Sequence, residues 1–232
     1  MQNPKDDPRV ERAGAKPPAA SVGKHPVASP VSKAVQRAPL GLAALRPLHE
    51  VNEHCIDMLV HAARKDSPAA PALVRHLREL LRAMTPESRA RTAQRPLLLV
   101  DMRLADLEWW RTAKDHPTRA APLPAWRGAF PRPQGVQLAR ATLMLAWHTV
   151  RADPYATCLL GMSPGVSEII ASLSLTEIDR LVERHFRHAR PRWEDRPAVW
   201  RRLLLAAQSE STRLTRDFNL YGLQLLTGQL LT

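Results

Sequence analysis

Between positions 179 and 202 the chain carries Arg180, Arg184, Arg187, Arg190, Arg192, Arg196, Arg201 and Arg202, with His185 and His188 among them. Only Asp179, Glu183, Glu194 and Asp195 oppose them in that window. Guanidinium groups at this density suit one kind of chemistry, bidentate hydrogen bonding to phosphates or to guanine edges. A solvated charged face has the same composition, so the neighbouring elements must decide between the two. His185 and His188 stand three apart, a spacing that can hold zinc on a helix, but no cysteine pair or third ligand lies near them. Asp101, Asp106 and Glu108 are close in sequence, and capping together with pairing to Arg103 and Arg111 accounts for them. No glycine-rich phosphate loop, dinucleotide fingerprint or Cys/His metal spacing occurs, and nothing assembles a nucleophile, a base and an orienting group. The expectation is a non-enzyme without cofactor or metal.

The elements around the arginines read as short capped helices. Ser163 with Pro164 marks an N-cap and first helical position for an apolar helix through Leu173. Ser174 with Glu177 three residues on is a capping box. Ile178, Leu181, Val182 and His185 then fall along one face of the helix it opens. Asp195 with Pro197 opens a third helix carrying Val199, Trp200, Leu203 and Leu204. Helices of this kind, set at fixed angles by apolar stripes and edged with arginine, are the parts of a helix-turn-helix-like reader of DNA.

Upstream of these lies the long helix QLARATLMLAWHTVRAD, then the step YATCLLGM, then SLSLTEIDRLVERH and the basic, aromatic HFRHARPRW; RDFNLYGLQLLTGQL closes the chain. On these segments, roughly residues 135–231, the chain resembles the FlhD subunit of the FlhD–FlhC flagellar master transcriptional activator. The resemblance implies an all-helical, dimer-forming, DNA-binding transcription regulator, without specifying that its targets are flagellar genes. The chain is about twice the length the resemblance implies for one such subunit.

Composition agrees with a helical, polyanion-binding protein. At 44% hydrophobic but only 5% aromatic, the core must be built mainly from aliphatic helix packing, and long Val- or Thr-rich alternations are absent. The formal charge is +12, with lysine after residue 33 only at Lys65 and Lys114, so the basicity is nearly all arginine and favours a polyanionic partner. Cys55 and Cys158 both sit in apolar helical contexts and read as small buried hydrophobes. The N-terminus has no hydrophobic core of a secretory signal and no apolar run reaches membrane-spanning length, so a cytoplasmic protein is expected.

Residues 1–45, with prolines at 4, 8, 17, 18, 26, 30 and 39 and no apolar periodicity, read as a disordered tail. Residues 46–114 begin with a helix from Leu48 to Arg64, continue with an amphipathic stripe from Leu73 to Met84, and add a short helix from the Thr85–Pro86 cap through Gln94. Leu97 to Val100 fit a strand, a buried helix or an extended segment equally well. Residues 115–135 hold five prolines and form a linker in which Trp126 and Phe130 are expected to dock on a neighbouring surface. Residues 136–232 form the FlhD-like region, with a long helix from Gln137 to Ala152 and a closing helix from Ser209 to Leu231. Aligned at a shift of roughly 90, the two halves place Thr85 with Ser174, Asp106 with Asp195, and Trp110 with Trp200. The fold expected is all-α, with two similar small domains packed as a pseudo-dimer, the first degenerate and the second reading DNA.

The function expected is a cytoplasmic transcription activator that binds double-stranded DNA through Arg184, Arg187, His188, Arg190, Arg192, Arg196, Arg201 and Arg202. It acts as a homodimer or larger oligomer, or with an FlhC-like subunit. The competing class is a non-enzymatic helical adaptor or secretion-apparatus component whose arginines solvate its surface.

Overall fold

The structure, a computed structural model, describes residues 45–65, 70–115, 128–209 and 211–231. The expected tail over residues 1–44, most of the linker and the docking of Trp126 lie outside them. The described residues are mostly helical. They comprise α1 (Arg46–Arg64), α2 (Ala72–His76), α3 (Arg78–Arg82), α4 (Pro86–Ala93), β1 (Val100–Asp101), α5 (Leu107–Asp115) and α6 (Arg132–Ala152). A 3-10 stretch over Pro154–Leu160 leads to α7 (Pro164–Ser172) and α8 (Leu175–His185). A 3-10 turn over Phe186–His188, β2 (Arg190–Pro191), α9 (Pro197–Gln208) and α10 (Thr212–Leu230) follow. No helix among the described residues is long and apolar enough to cross a membrane.

Local chemistry explains most of the starts. Ser174 accepts from the Glu177 backbone N–H while the Glu177 carboxylate accepts from the Ser174 N–H at 2.7 Å, the reciprocal bonds of a capping box. Thr85 and Ser211 cap α4 and α10 the same way, through Ser88 N–H and Leu214 N–H. At α9 the cap differs from expectation. Arg196, not Asp195, occupies the position, and no side chain caps it. The stripe from Leu73 to Met84 is also interrupted, because Leu77 leaves helical geometry and divides it into α2 and α3.

The apolar faces converge on one continuous core. Helix α1 packs on α3, α4 and α6; α6 on α7 and α8; and α9 on α4 and α10. Leu97, Leu98, Leu99 and Val100 are entirely buried and extended rather than helical. Asn52 of α1 pins them. Its amide donates to Ala93 O (3.1 Å) and Leu97 O (2.9 Å), and its carbonyl accepts from Leu99 N–H (2.8 Å). With Leu98 N–H donating to Leu159 O (2.9 Å) and Arg192 N–H to Leu99 O (2.8 Å), these bonds satisfy the strap up to Val100.

The strap ends where the two halves of the chain meet. Val100 pairs with Pro191 and Asp101 with Arg190 in an antiparallel bridge. Just beyond it on each side, Arg103 (φ 56°) and Trp193 (φ 57°) adopt the left-handed conformation, the two non-glycine residues to do so among those described. Further on, the fully buried Trp110 and Trp200 donate from their indole nitrogens to Arg103 O (3.0 Å) and Arg192 O (2.6 Å). Phe130 of the linker is buried, as expected of it, and α6 begins earlier than its periodicity indicated, at Arg132.

Candidate nucleic-acid interface

The structure divides the arginine-rich window. Arg184 on α8 and Arg187 on the following turn are exposed, as are Arg196, Arg201 and Arg202 around α9. The two groups stand on different supports, since α8 packs on α6 whereas α9 packs on α4 and α10. Arg196 lies 3.9 Å from Asp195, and Arg202 stacks over Tyr221 at 5.1 Å. Arg190 is half-buried and bound to Asp101 at 3.3 Å and Glu194 at 3.5 Å. Burial holds the Glu194 carboxyl above its usual range.

Arg192 departs from the expectation outright. It is 2% exposed, and its Nη2 donates to Leu160 O (2.7 Å) and Val100 O (3.1 Å), with Nη1 at 3.3 Å from Gln229 Oε1. Burial lowers the guanidinium's proton affinity, and no carboxylate among the described residues forms an ion pair with it. A group so enclosed cannot reach a phosphate. Arg192 instead ties β1, the Pro154–Leu160 stretch and α10 together. Gly161 is the complement of this arrangement. It sits at φ 61°, and a Cβ there would collide with Arg192 Nη1.

His185 and His188 also turn inward. His185 is 4% exposed, and both imidazoles stack edge-on against Trp109, at centroid distances of 5.1 and 4.9 Å. Burial is the main cause that lowers both proton affinities, aided by Arg184 at His185 and by Arg103, His185 and Arg190 at His188, which falls to about 4. His185 thus belongs to the buried interior, and the partly buried His188 packs on the same indole.

Two cations from outside the arginine-rich window, Arg103 and Lys114, lie beside residues of it. Arg103 stands 5.7 Å over the Trp109 ring while pairing with Asp106 at 2.9 Å. Lys114, Arg180 and Arg184 line a cleft of about 210 Å³ between the end of α5 and the face of α8. The cleft's one carboxylate, Glu177, is committed to the capping box, which keeps its proton affinity low. Arg180 and Arg184 have no ion-pair partner among the described residues. Lys114 and Arg103 escaped the sequence reading because they lie some 70–80 positions upstream of Arg184. The available signal was the alignment of the halves, which sets the Trp110 neighbourhood against that of Trp200.

Asp106 caps α5 through Trp109 N–H (3.0 Å) and Glu108 pairs with Arg111 (2.9 Å). Cys55 is wholly buried and its thiol is pushed up to about 12, whereas Cys158 is exposed, contrary to the reading of both as buried. No cluster of three His, Cys, Asp or Glu side chains among the described residues is placed to hold a metal ion. Compared with known protein families, curated proteins and solved structures, the chain gives no match.

Proposed function

We propose that this protein is a DNA-binding transcription regulator of the FlhD-like type, in which one chain supplies both halves of a pseudo-dimer. The observation that supports the DNA reading is the cation cluster Lys114, Arg180 and Arg184 around one cleft, on capped helices, with the cleft's one carboxylate committed to a capping box. Guanidinium and ammonium groups gathered on one face suit a phosphate backbone. The two-fold arrangement is supported by the bridge register. At a shift of 90, Val100 corresponds to Arg190 and Asp101 to Pro191, so each strand position pairs with the other's equivalent, as residues around a two-fold axis do. The left-handed residues Arg103 and Trp193 stand at the same shift, 193 minus 103.

The exposed Leu205 and Leu214, which line one groove between α9 and α10, favour a protein partner as well. This suits a homodimer or an FlhC-like subunit, and it is also what a helical adaptor would offer.

Duplex binding titrated between 50 and 200 mM salt tests the reading. Each neutralised phosphate adds about −0.9 to the slope of log K against log[salt]. The triple variant Lys114→Ala, Arg180→Ala, Arg184→Ala is expected to flatten that slope by roughly 2 to 3 and to weaken binding by about 10- to 100-fold. Its helical circular dichroism should be unchanged. A wild-type chain that ignores duplex at 50 mM salt, or a variant with the wild-type slope, would overturn this assignment and leave the adaptor class.

A further inference from the structure

A groove of about 430 Å³ lies between the end of α1, the start of α6 and the turn at Phe186–His188. Its floor is apolar, made by Met58, Ala62, Ala129, Phe130 and Phe186. Its rim is cationic, with His61 and Lys65 from α1, Arg132 from α6 and Arg187 from the turn. No aspartate or glutamate among the described residues lines it. Two glycines let the walls close up. A Cβ on Gly128 would meet the Arg187 Cα at 3.2 Å, and one on Gly135 would meet the Phe186 ring at 2.9 Å. The chain entering α6 thus backs directly on the turn and holds Arg187 at the rim.

We infer that this groove binds a small amphipathic carboxylate, its head held by Lys65 and Arg187 and its alkyl chain laid on the floor. Three observations ask for an anion. Arg132 is paired with Glu183 at 3.2 Å, but Lys65 and Arg187 are exposed and have no ion-pair partner among the described residues. Both guanidiniums stand over the Phe186 ring, Arg132 at 5.9 Å and Arg187 at 5.7 Å, which fixes them beside the apolar floor. The first turn of α6 has neither an acidic side chain nor a side-chain cap, so the positive end of its dipole adds to the field. The opposite dipole at the end of α1 is offset by His61 and Arg64 in its last turn.

The floor and the size decide which anion. A nucleic-acid backbone would bring polar sugar and phosphate against Met58 and Ala62, with nothing there to bond them. A stable protein partner covers about 800 Å² on each side, whereas this floor is a handful of side chains of which Phe130 and Phe186 are only 7% and 8% exposed. The groove volume falls within the roughly 300–1,000 Å³ of small-ligand sites. The site shares no lining residue with the cleft between α5 and α8, and the inference does not depend on the DNA reading.

Calorimetric titration of the full chain with decanoate, below its micelle concentration, tests this. The wild type is expected to take up one decanoate per chain. Decyltrimethylammonium, the same alkyl chain with the opposite head charge, should bind at least about tenfold more weakly. Octanoate should also bind about tenfold more weakly, since each methylene buried on the floor is worth up to about fourfold. Lys65→Ala with Arg187→Ala, both at exposed positions, should weaken decanoate about tenfold and leave the helical circular dichroism unchanged. Ala62→Trp, which fills the floor, should abolish binding. No saturable uptake of decanoate, equal binding of the cationic amphiphile, or a double variant with the wild-type affinity would overturn the inference. Uptake of many decanoates per chain would mean adsorption on a basic surface and overturn it too.

Discussion

Replacing Arg192 with alanine is expected to lower the unfolding midpoint by about 10 °C, while any salt slope for duplex binding stays at its wild-type value. Two opposing effects set the magnitude. The variant removes a buried cation that has no ion-paired carboxylate, which is a relief. Against this, it strips the hydrogen bonds from Leu160 O and Val100 O and empties the space beside Gly161. Each buried carbonyl left without a partner costs about 1–3 kcal/mol, and truncating a long buried side chain to alanine costs about 2–5 kcal/mol. The losses outweigh the relief, leaving a net cost of roughly 3–4 kcal/mol. Arg192→Met keeps the volume and should recover about half of this. Thermal unfolding of the three chains checks the order. An Arg192→Ala chain as stable as wild type, with a flattened salt slope, would return Arg192 to the DNA surface.

What the sequence could reveal follows from how locally each feature is determined. The capping box at Ser174 and the cap at Thr85 are made within three residues, so their chemistry is complete in the local string. The long helices were legible from their apolar rows, although α6 starts five residues before the reading because Arg132–Pro133 resembles linker. The strap was not legible. Leu97 to Val100 are extended because Asn52, 45 positions before Leu97, offers their backbone its partners. Arg192 is the sharper case. In HARPRW it has the same neighbours as its exposed companions, and its burial is imposed by Val100, 92 positions upstream, and by α10 downstream. Composition places a cation near a surface by default, and only the tertiary contacts reverse that. The same holds for His185 and His188, whose enclosure depends on Trp109 from the other half of the chain.

Those two histidines carry the second large effect. Stability is expected to fall as the pH drops from 7.5 to 4.5. His188 has a folded proton affinity of about 4 against 6.5 in a free chain. Below 6.5 the unfolded chain binds the proton and the folded one does not, so acid favours unfolding. The loss begins as the pH passes 6.5 and ends near 4, below which both states are protonated. Because His188 is only partly buried, solvent screening discounts the gap from 6.5 to about 4, leaving a loss of about 1–2 kcal/mol. His185, lowered chiefly by burial, adds to the loss in the same direction. Glu194 works the other way, because its raised carboxyl takes up a proton in the folded state before the unfolded one does. It moderates the loss at the acid end without reversing it. The groups facing the pair, Arg103, Arg184 and Arg190, remain cationic throughout and oppose a further positive charge, while Asp101 alone favours it. Melting temperatures across this range should therefore decline for the wild type and decline less for His188→Gln. Imidazoles beside phosphates would instead tighten duplex binding on acidification with no loss of stability. A flat melting profile in the wild type would show that the two rings are not enclosed beneath Trp109.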